Sequence, residues 1–356
     1  MRKSVLLFLC VAVNVAIPSM VWAQEVEYPI IVVPTGEGPY TFPQGYQTPW
    51  DEIEIMVTEK LSPNLFVLHG SKGLDRGHPD ASGGRVMVLF GPDGILLVDT
   101  QNRQVADKTL AAIRTFTDGP IKVLVNSHIH SDHTGANAFF ANQGALIFAQ
   151  ENLRLDMITP RRPNGPAPAR DPASIPVVTY RYDPSAPGEP AVTLHMNGET
   201  VDFIPMMPSH TGGDTVVRFR NANVIYIEDF YRNFGFPFAA QTSGGSIKGM
   251  IEAIDLFQTI AGPDTWLIPG HGTLIRREDL LPYRAMLVDI VAKVTALRDE
   301  GKSLEEVLAA NLTAPYEQTT QGDTQQSKDR FVRAVYDEVR DFPPIVNGRR
   351  AMPTRP

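Results

Sequence analysis

Four side chains able to bind a metal ion lie within six residues of this chain: His128, His130, Asp132 and His133. They follow an apolar run that ends at Val125 and has the composition of a β-strand. In extended chain the rings of His128 and His130 project to the same side, because alternate residues share a face. Asp132 and His133 lie where the chain turns into a predicted helix. Their side chains can therefore face a second point in space, next to the one that His128 and His130 face. The spacing predicts a loop that holds two neighbouring cations.

Three more candidate ligands come later, each just past an apolar, strand-like run: His210, Asp229 and His271. A lone histidine after a strand is more often a surface or core residue, so these positions are predicted as ligands only together with the first cluster. Neutral imidazoles suit borderline cations such as zinc, and a carboxylate can bridge two cations. Two cations about 3.5–4 Å apart can share a hydroxide and polarise a substrate carbonyl.

The composition is that of an ordinary globular protein, with 43% hydrophobic and 20% charged residues among 356. This length allows one large domain or two ordinary ones. Strand-like runs are predicted at 65–68, 86–90, 95–98, 121–125, 192–195, 201–205, 216–219, 224–227 and 265–268. Helical spacing is predicted at 109–116, 135–140, 247–260, 280–298, 303–310 and 331–339. Residues 159–190 are rich in proline and arginine and predict a long surface loop. The order suits sheets covered by helices.

The first 23 residues have the pattern of a cleavable secretory signal: Arg2 and Lys3, an apolar stretch, and small Ala23 before Gln24. An uncleaved membrane anchor is the alternative. Cleavage predicts an exported protein, periplasmic or secreted, with no stable membrane insertion. The single cysteine, Cys10, lies inside this segment, so the mature chain would contain no disulfide and no thiolate ligand.

Charge bears on the partners of the mature chain. Loss of Arg2 and Lys3 leaves 30 basic against 40 acidic residues. Such a balance argues against a nucleic-acid partner, whose phosphates need a basic face. A small anionic substrate stays possible, because one local arginine can dominate a pocket. The sequence leaves the oligomeric state open.

The run from His128 to His133, followed in order by His210, Asp229 and His271, resembles the metallo-β-lactamase superfamily over roughly residues 53–275. The resemblance implies an α/β fold, an αβ/βα four-layer sandwich with the site at the edge between two β-sheets. It implies one metal on His128, His130 and His210 and a second on Asp132, His133 and His271, bridged by Asp229. Asp99, after the run 95–98, resembles the family's buried supporting acid; capping of the following helix is the alternative.

The predicted domain organisation follows from this resemblance. Residues 1–23 form the signal, 24–52 an extended N-terminal arm, 53–280 the catalytic domain and 281–356 a C-terminal helical extension. The helices of the extension could pack on the core or form a dimer contact.

A bridging aspartate departs from the lactamases, which have Cys in one subclass and Ser in another where this chain has Asp229. It is more typical of thioesterases of the glyoxalase II kind, lactonases and other hydrolases of the superfamily. The redox branch commonly replaces the second histidine of the loop by Glu, so His130 favours hydrolysis over an iron-dependent oxygenase.

Side chains just after Asp229 are candidates for substrate binding. Arg232 can clamp an anion through paired hydrogen bonds, or can be a surface or ion-paired arginine. Tyr231 can donate a hydrogen bond to substrate, or can be a packed aromatic residue. Four phenylalanines in this stretch can wall an apolar pocket or pack in the core: Phe230, Phe234, Phe236 and Phe238.

The sequence therefore predicts a dinuclear zinc hydrolase with two Zn2+ per chain, iron or manganese being the other candidate metals. A hydroxide between the metals would attack the acyl carbonyl of a small ester, lactone or β-lactam, and Asp132 would orient or shuttle the proton. The alternatives are a glyoxalase II-like thioesterase and a non-catalytic exported metal-binding protein.

Overall fold

A computed structural model describes residues 50–70, 83–159, 170–232, 235–317 and 325–339. The predicted signal at 1–23 and nearly all of the predicted arm at 24–52 lie outside the described residues. Among the helices of the described part, none is long and apolar enough to cross a membrane.

The first sheet has seven strands, whose order across the sheet is their order along the chain. Four strands pair antiparallel and the remaining three continue the sheet in parallel pairing. The strands are β1 Ile55–Ser62, β2 Leu65–Gly70, β3 Val86–Gly91, β4 Gly94–Val98, β5 Ile121–Val125, β6 Leu146–Gln150 and β7 Val178–Tyr180. The connecting helices are α1 Ala106–Ile113, α2 Ser131–Thr134, α3 Asn137–Ala141 and α4 Glu151–Ile158.

The second sheet has five strands: β8 Val192–Met196, β9 Glu199–Pro205, β10 Thr215–Phe219, β11 Val224–Glu228 and β12 Trp266–Pro269. β8 to β11 pair antiparallel, and β12 joins β11 in parallel after helix α5, Ile247–Ile260. Asn197 and Gly198 turn the β8–β9 hairpin with positive φ at both residues, which is the usual chemistry of a two-residue hairpin loop.

Successive side chains of a strand point to opposite faces of its sheet, and this alternation produces four layers. In β4, Leu96 and Val98 face the second sheet, while Ile95 and Leu97 face α1 and α3. Strand β11 does the same on the other side, where Tyr226 faces the first sheet and its neighbours pack under α5. The central strands of each sheet are buried on both faces, as strands between another sheet and a helical layer must be. The predicted αβ/βα sandwich is confirmed.

The prediction of a loop over the whole of 159–190 is wrong in part. Val178–Tyr180 forms β7, which pairs in parallel with β6. A strand of three residues is too short to show a period in sequence, and its position depends on its neighbour. Strand β6 and helix α4 were not predicted from the sequence either.

Three helices follow the second sheet: α6 Leu280–Asp299, α7 Leu304–Ala309 and α8 Gln325–Val339. Their apolar residues join the cluster formed by α5 and the outer face of this sheet. Glu338 of α8 accepts hydrogen bonds from Ser246 Oγ at 2.5 Å and from the backbone N–H of Ile247 at 2.6 Å. A carboxylate in this position satisfies free amides at the start of α5 and suits its dipole. The helices therefore pack on the core; the predicted boundary at 280/281 stays a prediction.

Replacement of Phe331 by Ala tests how far α8 stabilises the domain. The ring is fully buried and stacks on Phe236 with centroids 5.9 Å apart. Phe331→Ala should lower the free energy of unfolding by about 3–5 kcal/mol, measured by denaturant titration, because it removes apolar contacts and leaves a cavity. Arg333→Ala, an exposed change two residues on, should stay within about 0.5 kcal/mol. Equal stabilities for the two variants would show that α8 contributes little.

Candidate metal centre

The candidate ligands lie at one edge of the two sheets, where strands end. The loop with His128, His130, Asp132 and His133 follows β5, and Asp99 follows the parallel neighbour β4. In the second sheet Asp229 directly follows β11 and His271 follows its parallel neighbour β12. His210 lies in the β9–β10 connection. Because neighbouring parallel strands end at the same edge, residues distant in sequence meet here.

A first group of donor atoms is formed by three imidazoles. Nε2 of His128 is 3.1 Å from Nδ1 of His130, and Nε2 of His210 is 3.0 Å from the same Nδ1. Oδ2 of Asp229 lies 3.5 Å from His210 Nε2 and 3.9 Å from His128 Nε2. One donor atom from each of these four residues lies within 4.8 Å of the others.

A second group of donor atoms adjoins the first. Nε2 of His271 is 3.1 Å from Oδ2 of Asp132 and 3.3 Å from Nε2 of His133. Asp229 touches this group as well, with Oδ1 3.5 Å from His133 Nε2 and Oδ2 3.3 Å from His271 Nε2. All seven predicted ligand residues are thus brought together, with Asp229 between the groups. That they bind metal stays a prediction.

The donor set fits two divalent cations. Ring nitrogens of neighbouring histidines face one another at 3.0–3.3 Å, and a shared cation would remove the repulsion between lone pairs that point at the same volume. Oδ1 of Asp229 is buried without a hydrogen-bond donor in the described part of the chain. Such an orphaned oxygen is costly unless a charge compensates it. Zinc–nitrogen bonds of about 2.0–2.1 Å are compatible with nitrogens this close.

His128 is oriented by two neighbours, Ser127 and Glu228, that were not predicted from sequence. Its Nδ1 lies 3.1 Å from Ser127 Oγ and 3.1 Å from Glu228 Oε2. Ser127 Oγ gives its own proton to Asp99 Oδ2 at 2.6 Å, so it accepts from the imidazole. The Nδ1 of His128 therefore carries the proton, and the Nε2 lone pair points into the centre.

Asp99 accepts four hydrogen bonds. They come from Nδ1 of His133 at 2.8 Å, the hydroxyl of Tyr226 at 2.9 Å, and the Oγ and N–H of Ser127 at 2.6 and 2.7 Å. The carboxylate thus directs Nε2 of His133 into the centre. His210 is fixed similarly, because its Nδ1 donates to the carbonyl of Phe238 at 2.7 Å. Asp99 makes these contacts rather than capping a helix.

Backbone strain is concentrated around these residues. Asp99 has φ of 64°, Gln101 has φ of 69° and Glu228 has φ of 44°, a left-handed conformation that costs non-glycine residues energy. Strain of this kind is kept where surrounding contacts enforce it, and it clusters at functional sites. It turns the Asp99 and Glu228 side chains back beneath the imidazoles.

Two glycines allow the backbone to pass close to the ligands. A Cβ on Gly84 would come within 2.2 Å of the His133 ring, and one on Gly270 within 2.3 Å of Asp229 Oδ1. Neither ligand can move away without leaving its group. Both positions are therefore limited to glycine by space.

Burial controls protonation in the first group. It lowers the pKa of His128 and of His210 well below the ordinary value and also lowers that of His130. The three imidazoles are therefore neutral at pH 7 and have lone pairs available for a cation. Burial would raise the pKa of Asp132, but His133 and His271 bring it below its ordinary value, so this group is ionised.

A buried acid beneath the first group, Asp214, was not predicted from sequence. Burial raises the pKa of Asp214 to about 8. It accepts the N–H of Thr211 at 2.9 Å and so closes the turn that carries His210. Burial, followed by the charges of Asp214 and Asp229, raises the pKa of Glu228. An acid at the end of an otherwise uncharged, buried strand, as in Ile227-Glu228, is the sequence signal that could have identified Glu228.

The two predicted substrate-binding residues have different surroundings. Arg232 lies beside the centre, with NH2 3.4 Å from Asp229 Oδ2 and 13% of its side chain exposed. The Tyr231 ring packs against Tyr283 with centroids 5.1 Å apart, as a packed aromatic residue would. Of the phenylalanines, Phe230 and Phe236 lie in the core and Phe234 lies outside the described residues. The substrate roles of Arg232 and Tyr231 stay predictions.

Among curated proteins, residues of this chain match a linear primary-alkylsulfatase from Pseudomonas sp. at 35% identity over 79 residues, 20% of this chain and 15% of that protein. They also match the 2,4-dinitroanisole O-demethylase subunit alpha from Nocardioides sp. at 28% identity over 147 residues, 41% of this chain and 40% of that subunit. The chain thus spans less than half the length of these relatives.

Among solved structures, a metallo-beta-lactamase from Pontibacter korlensis is similar with a TM-score of 0.53 at 18% identity, over 67% of this chain and all of that one. The sec-alkylsulfatase Pisa1 from Pseudomonas sp. has a TM-score of 0.53 at 19% identity, over 82% of this chain and 53% of its own. These likenesses concern the fold.

The sequence itself matches a family model. Residues 80–227, which include five of the seven predicted ligands, match the model described as the metallo-beta-lactamase superfamily. The fold agrees with that of the lactamase from Pontibacter korlensis. Over residues 80–227, about two fifths of its length, the chain is similar to the metallo-β-lactamase superfamily.

Proposed function

We propose that this protein is a metal-dependent hydrolase whose seven ligand residues hold two divalent cations, with zinc the favoured metal. The observation that carries the proposal is the contact of Asp229 with both donor groups, at 3.5 Å from His210 and 3.3 Å from His271. His128, His130 and His210 would hold one cation, and Asp132, His133 and His271 the other. An imidazole-rich set without cysteine suits zinc, although iron and manganese also bind such ligands.

The cations would supply Lewis acidity that lowers the pKa of a water towards neutrality and stabilises charge on a substrate oxygen. Asp132 keeps 27% of its side chain exposed, whereas Asp229 keeps 3%. Asp132 is therefore the carboxylate that can accept a proton from water and pass it to solvent. Ser127, Glu228 and Asp99 hold the imidazole tautomers that keep lone pairs directed at the centre.

The substrate proposed first is a small ester, lactone or β-lactam, attacked at its acyl carbonyl. A second candidate is a sulfate ester. It is favoured by the likeness to alkylsulfatases in both sequence and fold and by Arg232 beside the centre. A thioester of the glyoxalase II kind is the remaining candidate for an Asp-bridged site.

A non-catalytic metal-binding protein would use the same ligands but would close the site. Asp132 and Arg232 both retain solvent-exposed surface next to the donor groups, which favours a site open to substrate. We also propose export, on the pattern of residues 1–23; these residues lie outside the described part of the chain.

A substrate panel tests the hydrolase proposal. Chromogenic esters, lactones, β-lactams, thioesters and aryl sulfates should be assayed on the zinc-loaded protein with and without a chelator. Hydrolysis of one class, abolished by the chelator and restored by zinc, is the expected result. A protein that binds two ions but hydrolyses none of these compounds would support the binding-protein alternative.

Asp229→Ala should leave the protein with fewer than two tightly bound zinc ions and without activity, because both donor groups lose a shared carboxylate. Elemental analysis of the purified chain gives the metal count, for which we expect two in the parent protein. His195→Ala is the matched control, because His195 is exposed on β8, and it should keep two ions. A single iron in the parent protein would instead support an oxygenase.

Asp99→Asn should weaken zinc binding about 10–100-fold, because one amide oxygen cannot accept the four donors that now surround the carboxylate. Competition with a chelating dye gives the affinity. Glu199→Gln is the control, since Glu199 is a buried acid at the opposite end of β9 that accepts backbone N–H groups. Equal affinities for all three proteins would remove the positioning role of Asp99.

Arg232→Ala should raise KM for anionic substrates about tenfold, the cost of a lost charge-assisted hydrogen bond, and leave KM for neutral substrates nearly unchanged. Steady-state kinetics on matched charged and neutral esters measure both, with the metal content checked in parallel. An unchanged KM for the anionic ester would exclude Arg232 from substrate binding.

A further inference from the structure

Arg85 lies between the two sheets, at the edge that carries the metal centre. It directly precedes β3 of the first sheet, and only 2% of it is exposed. Its backbone N–H donates to the carbonyl of Gly270 at 3.0 Å, and its Nη1 donates to the carbonyl of Pro269 at 3.2 Å. Pro269 ends β12 of the second sheet, and Gly270 directly precedes His271. A residue of the first sheet thus holds the turn that carries a proposed ligand of the second.

The turn before His271 lies directly against other proposed ligands. The N–H of Gly270 donates to the carbonyl of Glu228 at 2.7 Å. A Cβ on Gly270 would come within 2.3 Å of Asp229 Oδ1 and 2.9 Å of the His133 ring. Any movement of this turn would therefore change the distances from His271 to its neighbouring ligands.

The guanidinium of Arg85 has few partners for a buried charge. Its Nε is buried without a hydrogen-bond acceptor in the described part of the chain, and no carboxylate there lies within ion-pair distance of it. A buried charge without a carboxylate is unfavourable, so the contacts that it does make must hold it in place. Hydrogen bonds from a charged donor are about twice as strong as neutral ones. The strong bond that Arg85 makes here falls on Pro269, two residues before His271.

The other end of Arg85 is anchored beneath the second donor group. The hydroxyl of Tyr226 lies 3.2 Å from the carbonyl oxygen of Arg85 and 2.9 Å from Oδ2 of Asp99. Asp99 in turn accepts the proton of His133 Nδ1 at 2.8 Å. Arg85 therefore connects the residues that orient His133 to the turn that carries His271.

We propose that Arg85 is a positioning residue for the second donor group. Through the turn before His271, it keeps Nε2 of His271 3.1 Å from Oδ2 of Asp132 and 3.3 Å from Nε2 of His133. This inference rests on the proposed function and deepens it by naming a residue that sets the affinity of one cation. The imidazoles of the first donor group are oriented by other residues. Loss of Arg85 should therefore weaken one cation selectively.

The alternative is that Arg85 only ties the two sheets together. Its loss would then lower the stability of the fold and would weaken both cations equally or neither. Stepwise metal affinities separate the two roles without relying on turnover.

The test is titration of the zinc-loaded full chain with a chelating dye, which gives a dissociation constant for each of the two zinc ions. His271→Ala identifies the constant of the second donor group, because it removes a ligand of that group. Arg85→Met has a long side chain that cannot donate a hydrogen bond. It should raise the dissociation constant of the second group about 10–100-fold, the usual effect of losing a residue that supports a ligand, and leave the other constant nearly unchanged.

Arg85→Lys keeps the charge and a donor that can reach the Pro269 carbonyl, so it should restore part of the affinity. Arg114→Met is the matched control. Nη1 of Arg114 also donates to carbonyls of a turn, those of Thr117 and Gly119 at 3.2 and 2.8 Å, at the end of β5 opposite to the metal centre. Its loss should leave both zinc constants as in the parent protein.

Cobalt(II) in place of zinc gives a spectroscopic measurement, since its visible absorption depends on the geometry of its ligands. Arg85→Met should change the absorption of the cobalt ion in the second group, and Arg114→Met should not. Thermal unfolding is followed for each variant. If Arg85→Met does not fold, Arg85→Gln takes its place, because its amide is too short to reach the Pro269 carbonyl, and the same selective loss is expected.

Unchanged zinc constants and an unchanged cobalt spectrum in the Arg85 variants would overturn the inference. So would an equal loss of affinity at both ions. Failure of the proposed function is a different result: a parent chain that does not retain two metal ions shows this in its metal content, before any variant is compared, and removes the basis of this inference as well.

Discussion

The central physical constraint on this protein is the convergence of buried lone pairs. Imidazoles and carboxylates point at one small volume, where ring nitrogens approach one another to 3.0–3.3 Å. Such a cluster is unfavourable in an empty, low-dielectric interior, and shared cations would make it favourable. The two-sheet scaffold supplies the rigidity, since each sheet is packed on both faces. Ligands on the ends of packed strands cannot relax away from one another.

Residues beneath the ligands determine what the ligands can do. Ser127, Glu228 and Asp99 decide which imidazole nitrogen carries the proton, and hence which one faces the centre. The left-handed backbone at Asp99 and Glu228 is a local cost that the surrounding core enforces. The packed core thus holds the loops that carry the ligands in a geometry that these loops would not keep in isolation.

The C-terminal helices join the core to the edge of the site. α6 and α8 pack on the outer face of the second sheet, and Glu338 binds the start of α5. The same helix α8 brings Arg330 over Phe238, beside the centre. The lactamase from Pontibacter korlensis overlaps only 67% of this chain, so the fold leaves room for such additions.

The sequence by itself predicted the sandwich, through its resemblance to the metallo-β-lactamase superfamily, and the seven residues that meet at the centre. These side chains have local signatures, because they lie within six residues of one another or just past strand-like runs. It did not locate β7, whose three residues take their conformation from β6. Nor did it indicate Glu228 beneath His128, or Arg330 above Phe238. Those relations join segments far apart in the chain, and only the packing of sheets and helices brings them together. A local residue pattern contains no information on distances across a core, so only the tertiary structure decided these contacts.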